Sequence, residues 1–199
     1  MPYHHGQLRE ALVCAGLETA RTDGPEAVVL RAATRAAGVT PNAAYRHFAD
    51  REELLSAVAA RCITMLGELV EKRLAELGPE PGEDSVDHAW QRLMVAGRAY
   101  VEFALTERGW FKTAFGAHHP NEEMIPADSN PFAIVNAILD ECVGVGALSP
   151  ERRAGAEYAA WSAVHGISTL IVDGPLADLP EGDRQAAIDK VLTTVITGL

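Results

Sequence analysis

The chain has 199 residues, is 48% hydrophobic and carries a formal net charge of -11, which excludes a disordered polyelectrolyte and leaves ample apolar material for a core. Its three cysteines, Cys14, Cys62 and Cys142, are odd in number and widely spaced, so neither a disulfide framework nor a zinc knuckle is supported. The N-terminus MPYHHGQLRE lacks the apolar core of a signal peptide, and the longest uncharged run, Tyr158 to Val172, is shorter than the roughly 20 apolar residues of a bilayer span. A soluble protein of the reducing cytoplasm is therefore expected. The charge is uneven: residues 1–61 hold seven basic and seven acidic side chains, whereas residues 62–199 hold ten against twenty-one. An acidic body of this kind repels a polyanion everywhere except at its neutral end.

In chain order, Leu8, Ala11, Leu12, Ala15 and Thr19 recur at helical spacing and predict a first helix from about Gln7 to Thr22, stopped by Gly24-Pro25. A second covers about Leu30 to Ala37 and exits at Gly38, where a left-handed residue is needed. The third starts at once, with Thr40 as N-cap and Pro41 in the first turn, and ends near Phe48. Asp50 and Glu53 have capping-box spacing for a long fourth helix, striped by Leu54, Val58, Cys62, Leu66 and Leu69, down to about Leu77. The segment GPEPGED, residues 78–84, reads as a linker.

Ser85 opens the fifth helix, with Leu93, Ala96, Tyr100 and Phe103 on one face, and a short aromatic helix follows with Trp110, Phe111 and Phe115. GAHHPNEEMIPADSNP reads as a loop, a seventh helix spans about Pro131 to Val145, and an eighth runs from the Ser149-Pro150 cap to about Val172. The last helix carries Ile188, Val191, Leu192, Val195 and Ile196 on one side. No stretch shows the period-two alternation of strands, so the expected fold is all-α with about nine helices.

The tight exchange of helices at Gly38-Val39 is a helix-turn-helix signal. On a wheel of about 100° per residue, Ala44 and Phe48 share one side of the third helix, and Asn42, Ala43 and Arg46 the other. Tyr45 and His47 bracket Arg46, at about 100° on either side of it. The flanks suit phosphate oxygens and the centre suits base edges, where an Arg can pair with guanine and an Asn with adenine. Whether Asn42 and Arg46 read bases together, or Arg46 alone, stays open from the residues. Arg31 fits either a phosphate or an ion pair with Glu26, and His4 and His5 fit either a DNA-touching arm or an inert tail.

These residues together resemble the TetR family of bacterial transcriptional regulators. The matching positions are Leu30-Arg31, Ala37-Gly38-Val39, Thr40, Tyr45-x-His47-Phe48, Arg51 and Leu54-Leu55. The resemblance implies phosphate contacts from Thr40, Tyr45, His47 and Arg51, within a DNA-facing set of Arg31, Thr40, Pro41, Asn42, Ala43, Tyr45, Arg46, His47 and Arg51. Where many members place Ser or Thr before the Leu-Arg pair this chain has Val29, so that capping and phosphate contact is expected to be lost.

AYVEFALTERGWF and WSAVHGISTL are similar to one branch of the family, which implies a C-terminal domain that binds a small molecule and dimerises through its last two helices. The expected division is residues 1–50 for DNA and residues 51–199 for ligand and dimer, with Ile188, Val191, Leu192, Val195 and Ile196 as the dimer face. Trp90, Met94, Phe103, Phe111, Phe115, Trp161, Val164 and His165 are candidates for an apolar cavity, or are simply core. His118, His119, Glu122 and Glu123 sit in a Pro-bearing loop without ligand spacing, so no metal is expected there. Ser162 and His165 lack a nucleophile elbow and an acidic third partner. The resulting expectation is a dimeric repressor without cofactor, released from a double-stranded DNA operator by an apolar ligand. An activator, or a helical ligand-binding protein or enzyme that does not bind DNA, is the competing reading.

Overall fold

A computed structural model describes residues 5–78, 85–116 and 120–199. His4, most of the expected linker and the His118-His119 pair lie outside the described residues, and of His5 only the helical backbone is described. Among the described residues there are ten α-helices and no strand: α1 (His5–Asp23), α2 (Leu30–Ala36), α3 (Pro41–Ala44), α4 (Arg51–Leu77), α5 (Val86–Thr106), α6 (Arg108–Ala114), α7 (Pro131–Gly144), α8 (Pro150–Arg153), α9 (Ala156–Val172) and α10 (Glu181–Gly198).

The tenth helix arises where one long eighth helix was expected. Gly155 adopts a left-handed conformation, φ 81°, and separates α8 from α9. Only glycine enters that region without a Cβ penalty, so the break is written at one position in an otherwise helix-compatible run. Side chains cap three other helix starts. The Ser85 hydroxyl accepts the His88 N–H at 3.0 Å, and Asn130 Oδ1 accepts from Phe132 and Ala133 ahead of α7. Asp50 Oδ1 accepts the Glu53 N–H at 2.9 Å, while the Glu53 carboxylate reaches back to the Ala49 N–H. Each cap satisfies donors that a helix start leaves without partners.

The chain forms two compact units, Met1–Thr64 with Glu107–Pro126, and Met65–Thr106 with Ala127–Leu199. Helix α4 contributes residues 51–64 to the first and 65–77 to the second. In the first unit α1 packs against α2, α3 and α6. Its centre holds Leu12, Phe48, Leu54 and Val58, all fully buried, each adding about 1.5 to 3 kcal/mol relative to exposure. The Arg9 guanidinium covers the Phe48 ring at 4.9 Å.

Although α6 follows the linker and α5, it belongs to this first unit. Trp110 Nε1 donates to the Leu17 carbonyl at 2.8 Å, and Arg21 forms two 2.8 Å bonds to the Glu107 carboxylate while stacking over the Trp110 ring. A Cβ added at Gly109 would lie 2.1 Å from the Ala20 carbonyl oxygen, so the approach of α6 to α1 requires a residue without a side chain.

In the second unit α5 packs against α7, α9 and α10, with Val101, Ile138, Leu139 and Ile171 at the centre. Arg73 on α4 pairs with the Glu102 carboxylate through bonds of 3.0 and 2.5 Å, and Arg153 with Asp140 and Glu157 at 2.7 and 2.8 Å. No helix among the described residues is long and apolar enough to cross a membrane.

Candidate nucleic-acid interface and ligand cavity

The turn between α2 and α3 is made by Gly38 at φ 67°. Its N–H bonds to the Arg35 carbonyl at 3.2 Å, and the Val39 N–H reaches Thr34 at 2.9 Å. These two bonds satisfy the last carbonyls of α2 and turn the chain sharply. Helix α3 then begins at Thr40-Pro41; the Thr40 side chain makes no capping bond. The regular helix ends at Ala44, earlier than expected, but His47 and Phe48 still bond back to the Ala44 carbonyl at 2.8 and 3.0 Å. This tightened last turn keeps the predicted sides: Ala44 and Phe48 are fully buried, while Pro41, Asn42, Tyr45 and Arg46 are exposed and Ala43 and His47 half-buried.

Tyr45 is one of the few large apolar side chains left in solvent, 53% exposed. It borders an open cleft of about 430 Å³ shared with Val29, Arg31 and Arg51. Arg31 and Arg46 are exposed and carry no hydrogen bond or ion pair among the described residues. Glu26, the alternative partner for Arg31, instead lies 3.6 Å from Arg51.

Arg51 itself is committed within the fold. Its Nε donates to the Val28 carbonyl and a terminal nitrogen to the Pro25 carbonyl, both at 2.9 Å, and the other terminal nitrogen pairs with Glu52 at 2.9 Å. These bonds tie the start of α4 to the segment that leads into α2. Val29 occupies the N-cap of α2 without a side-chain cap, as its lack of a hydroxyl dictates.

The second unit contains a mainly apolar cavity of about 40 Å³. Fourteen residues line it, including Val70 of α4, Leu93 and Tyr100 of α5, and Trp161 and Val164 of α9; none is charged. Room for about three water molecules is far below the roughly 300 Å³ or more of a drug-sized site. The cavity is a narrow slot.

The expected cavity residues separate in the structure. Trp161 and Val164 line the slot, and His165 touches it indirectly through Tyr100, whose hydroxyl lies 2.9 Å from His165 Nδ1. Trp90, Met94 and Phe103 lie elsewhere on α5, and Phe111 and Phe115 pair with each other in the first unit, ring centroids 5.2 Å apart. The stripe of α10 read as a dimer face also has another use. Ile188 and Leu192 are buried, and Leu192, Val195 and Ile196 line the slot, leaving Val191 half-buried. Amphipathicity shows that a stripe must be covered but not by what; the same protomer covers Ile188 and Leu192 and leaves Val191, Val195 and Ile196 half-buried.

Sequence reasoning left out Tyr100 and Gly97 as cavity residues. Tyr100 was visible only as one more member of an apolar helix face. Burial pushes its phenol above the usual range and pushes the His165 imidazole below its own, so both are neutral near pH 7.

Comparison with known proteins gives two family matches along the chain. Residues 12–58 match the model for bacterial regulatory proteins of the tetR family, and residues 93–195 match the tetracyclin repressor-like C-terminal domain. The chain belongs to the tetR family of DNA-binding, ligand-binding transcriptional regulators. No curated protein matches the sequence significantly. Among solved structures, a protein of unknown function from Rhodococcus sp. RHA1 is 30% identical, with a TM-score of 0.76 over 100% of this chain and 98% of that one. The transcriptional regulator FadR from Bacillus subtilis in complex with stearoyl-CoA is 15% identical, with a TM-score of 0.67 over 96% and 98%. A TetR variant from Acinetobacter baumannii AYE in complex with minocycline is 20% identical, with a TM-score of 0.63 over 99% and 96%. At those last two identities the likeness concerns the fold.

Proposed function

We propose that this chain is a dimeric repressor that leaves a pseudo-palindromic operator when an apolar small molecule enters the slot of its second unit. The observation that carries this reading is the pairing of an exposed, arginine-bearing recognition helix with an apolar cavity in one chain. Residues 1–50 would carry DNA binding and residues 51–199 the response. Two structures of the same fold hold stearoyl-CoA and minocycline, which supports a ligand here while leaving its chemistry to this cavity.

On DNA, Asn42 and Arg46 face base edges, and Thr40, Tyr45 and His47 flank them at the phosphates. Arg51 acts differently: with its donors on the Pro25 and Val28 carbonyls, it holds the entry to α2 in place for Arg31. Two copies read half-sites about 34 to 36 Å apart or a multiple of that spacing. Because Ile188 and Leu192 are buried inside the protomer, the dimer uses the half-buried Val191, Val195 and Ile196 together with exposed residues of the last two helices, such as Tyr158, Ser162, Thr169 and Leu170 on α9 and Thr193 and Thr197 on α10.

The slot is too small for most guests in the state described, so a guest favours a wider state. A ligand shifts the equilibrium only by its differential affinity, which widening supplies here. Helix α4 runs from the Asp50 cap to Val70 on the cavity wall and is the element through which widening reaches the recognition helices.

A gel shift against the DNA upstream of its own gene tests the proposal. Sequence-specific retention that weakens when ligand is added is the expected result. Absence of retention at low salt would overturn it, and a reporter whose expression rises with the protein would replace repressor by activator.

A further inference from the structure

The chain passes between its two units at three places: inside α4, between Thr106 and Glu107, and between Pro126 and Ala127. The third passage lies in residues 121–130, just ahead of α7. This segment is built from two single-turn 3-10 helices, Glu122–Met124 and Ala127–Ser129, joined by Ile125-Pro126. At its start Asn121 Oδ1 accepts the Glu123 N–H at 3.1 Å, and at its end Asn130 caps α7. Pro126 fixes one backbone angle and the two turns fix their own, so the segment is stiff for a connection.

Each end of the segment is seated within its own unit. In the first unit Arg9 donates to the Met124 sulfur at 3.4 Å, while the same guanidinium covers the Phe48 ring at 4.9 Å. Phe48 is fully buried, and its N–H closes the last turn of the recognition helix on the Ala44 carbonyl at 3.0 Å. Met124 thus holds the side chain that covers the ring beneath the reading surface. In the second unit the Ser129 carbonyl sits where a Cβ on Gly67 would stand, so its approach to α4 requires a residue without a side chain. Just beyond, Pro131 and Val135 of α7 line the slot.

We propose that residues 121–130 form a strap through which the slot controls the recognition helix, beside the route along α4. A guest that widens the slot displaces the start of α7 at Pro131 and Val135, draws the strap at Ser129 and withdraws Met124 from Arg9. A thioether is a weak acceptor, so this contact is the one that gives way. The guanidinium then leaves Phe48, and the turn that bears Tyr45, Arg46 and His47 loosens. The proposal rests on the reading of this chain as a ligand-responsive regulator and names how the response is carried.

Amide hydrogen exchange on the full chain tests the strap with no guest required, because Val135→Phe puts a ring where a guest would lie. Exchange at the His47 and Phe48 amides should rise about two- to fivefold, the worth of one cation–π contact, with the Leu12 and Val58 amides of the same unit unchanged. Met124→Ala should give the same rise with the slot unaltered. Insertion of Gly-Ser-Gly between Pro126 and Ala127 gives the strap slack, and in that background Val135→Phe should leave both amides at the wild-type rate. Gly67→Ala unseats Ser129 instead of filling the slot; it should act like Val135→Phe and be cancelled by the same insertion.

The proposal fails if Val135→Phe and Gly67→Ala leave His47 and Phe48 unchanged, if Leu12 and Val58 share the rise, or if Met124→Ala has no effect. It fails too if the rise survives the insertion at full size, which would leave α4 as the only route. If Val135→Phe does not fold, Gly67→Ala decides. A chain without sequence-specific operator retention would sink the repressor reading, while the exchange rates would still decide whether the strap couples the slot to α3.

Discussion

The candidate residues of the first unit lie outside its core, and those of the second lie within its core. In the first, a filled core holds Ala44 and Phe48 inward so that Tyr45 and Arg46 stand in solvent. In the second, the core itself is incompletely filled, and the candidate site is the gap. A surface reader needs a rigid base, whereas a core that receives a guest needs spare volume and two states of similar energy.

The largest expected effect breaks the first half of this contrast. Phe48→Ala should cost about 3 to 5 kcal/mol in urea unfolding and abolish operator binding, since the whole reading surface rests on that ring. Gly109→Val should follow, at about 1 to 3 kcal/mol or more, because the carbonyls of Ala20 and Arg21 are backbone and cannot step aside.

Surface changes should spare folding and touch recognition alone. Arg46→Ala should lose about 1 to 3 kcal/mol on operator DNA and little on random DNA, whereas Tyr45→Phe should weaken both. Equal proportional losses in filter binding would remove the base-reading role of Arg46.

Titration probes how firmly the buried cores hold. Burial pushes the Cys62 thiol up to about 12, so the native state keeps a proton that the unfolded state loses near its ordinary value. This contribution is fully present below about pH 9 and is lost between there and about pH 12, at about 1.4 kcal/mol per pH unit. Equilibrium unfolding between pH 8 and 11 should show the decline, and substitution of Cys62 by Ala should remove that part of it. The smallest effect sharpens the contrast from the other side. Val195→Ile places one methylene in the slot and should gain up to about 0.8 kcal/mol in stability while weakening any guest.

The same contrast explains what could be read in advance. Gly38, Pro41, Asp50 and Ser85 act on neighbours within five residues, so their turns and caps were legible, as was the inward side of Ala44 and Phe48. The exposed functional candidates stood out because they depart from the apolar pattern around them. The slot was legible only in Trp161 and Val164, because Leu192, Val195 and Ile196 are the same residue types whether they meet a ligand, a second copy or α5 of their own chain. The break at Gly155 had a signal in the glycine itself, but ERRAG continues a helical pattern and nothing nearby fixed the sign of φ.

The bond from Trp110 to the Leu17 carbonyl spans 93 residues and the Arg21 clamp on Glu107 spans 86. A chain emerging from the ribosome therefore makes its first helices long before the piece that completes their packing, with α5 already behind them. The DNA-reading unit is consequently not a detachable N-terminal module. A fragment cut after Thr64 leaves behind α6 and its hold on α1, and should unfold at lower urea than the same unit in the full chain.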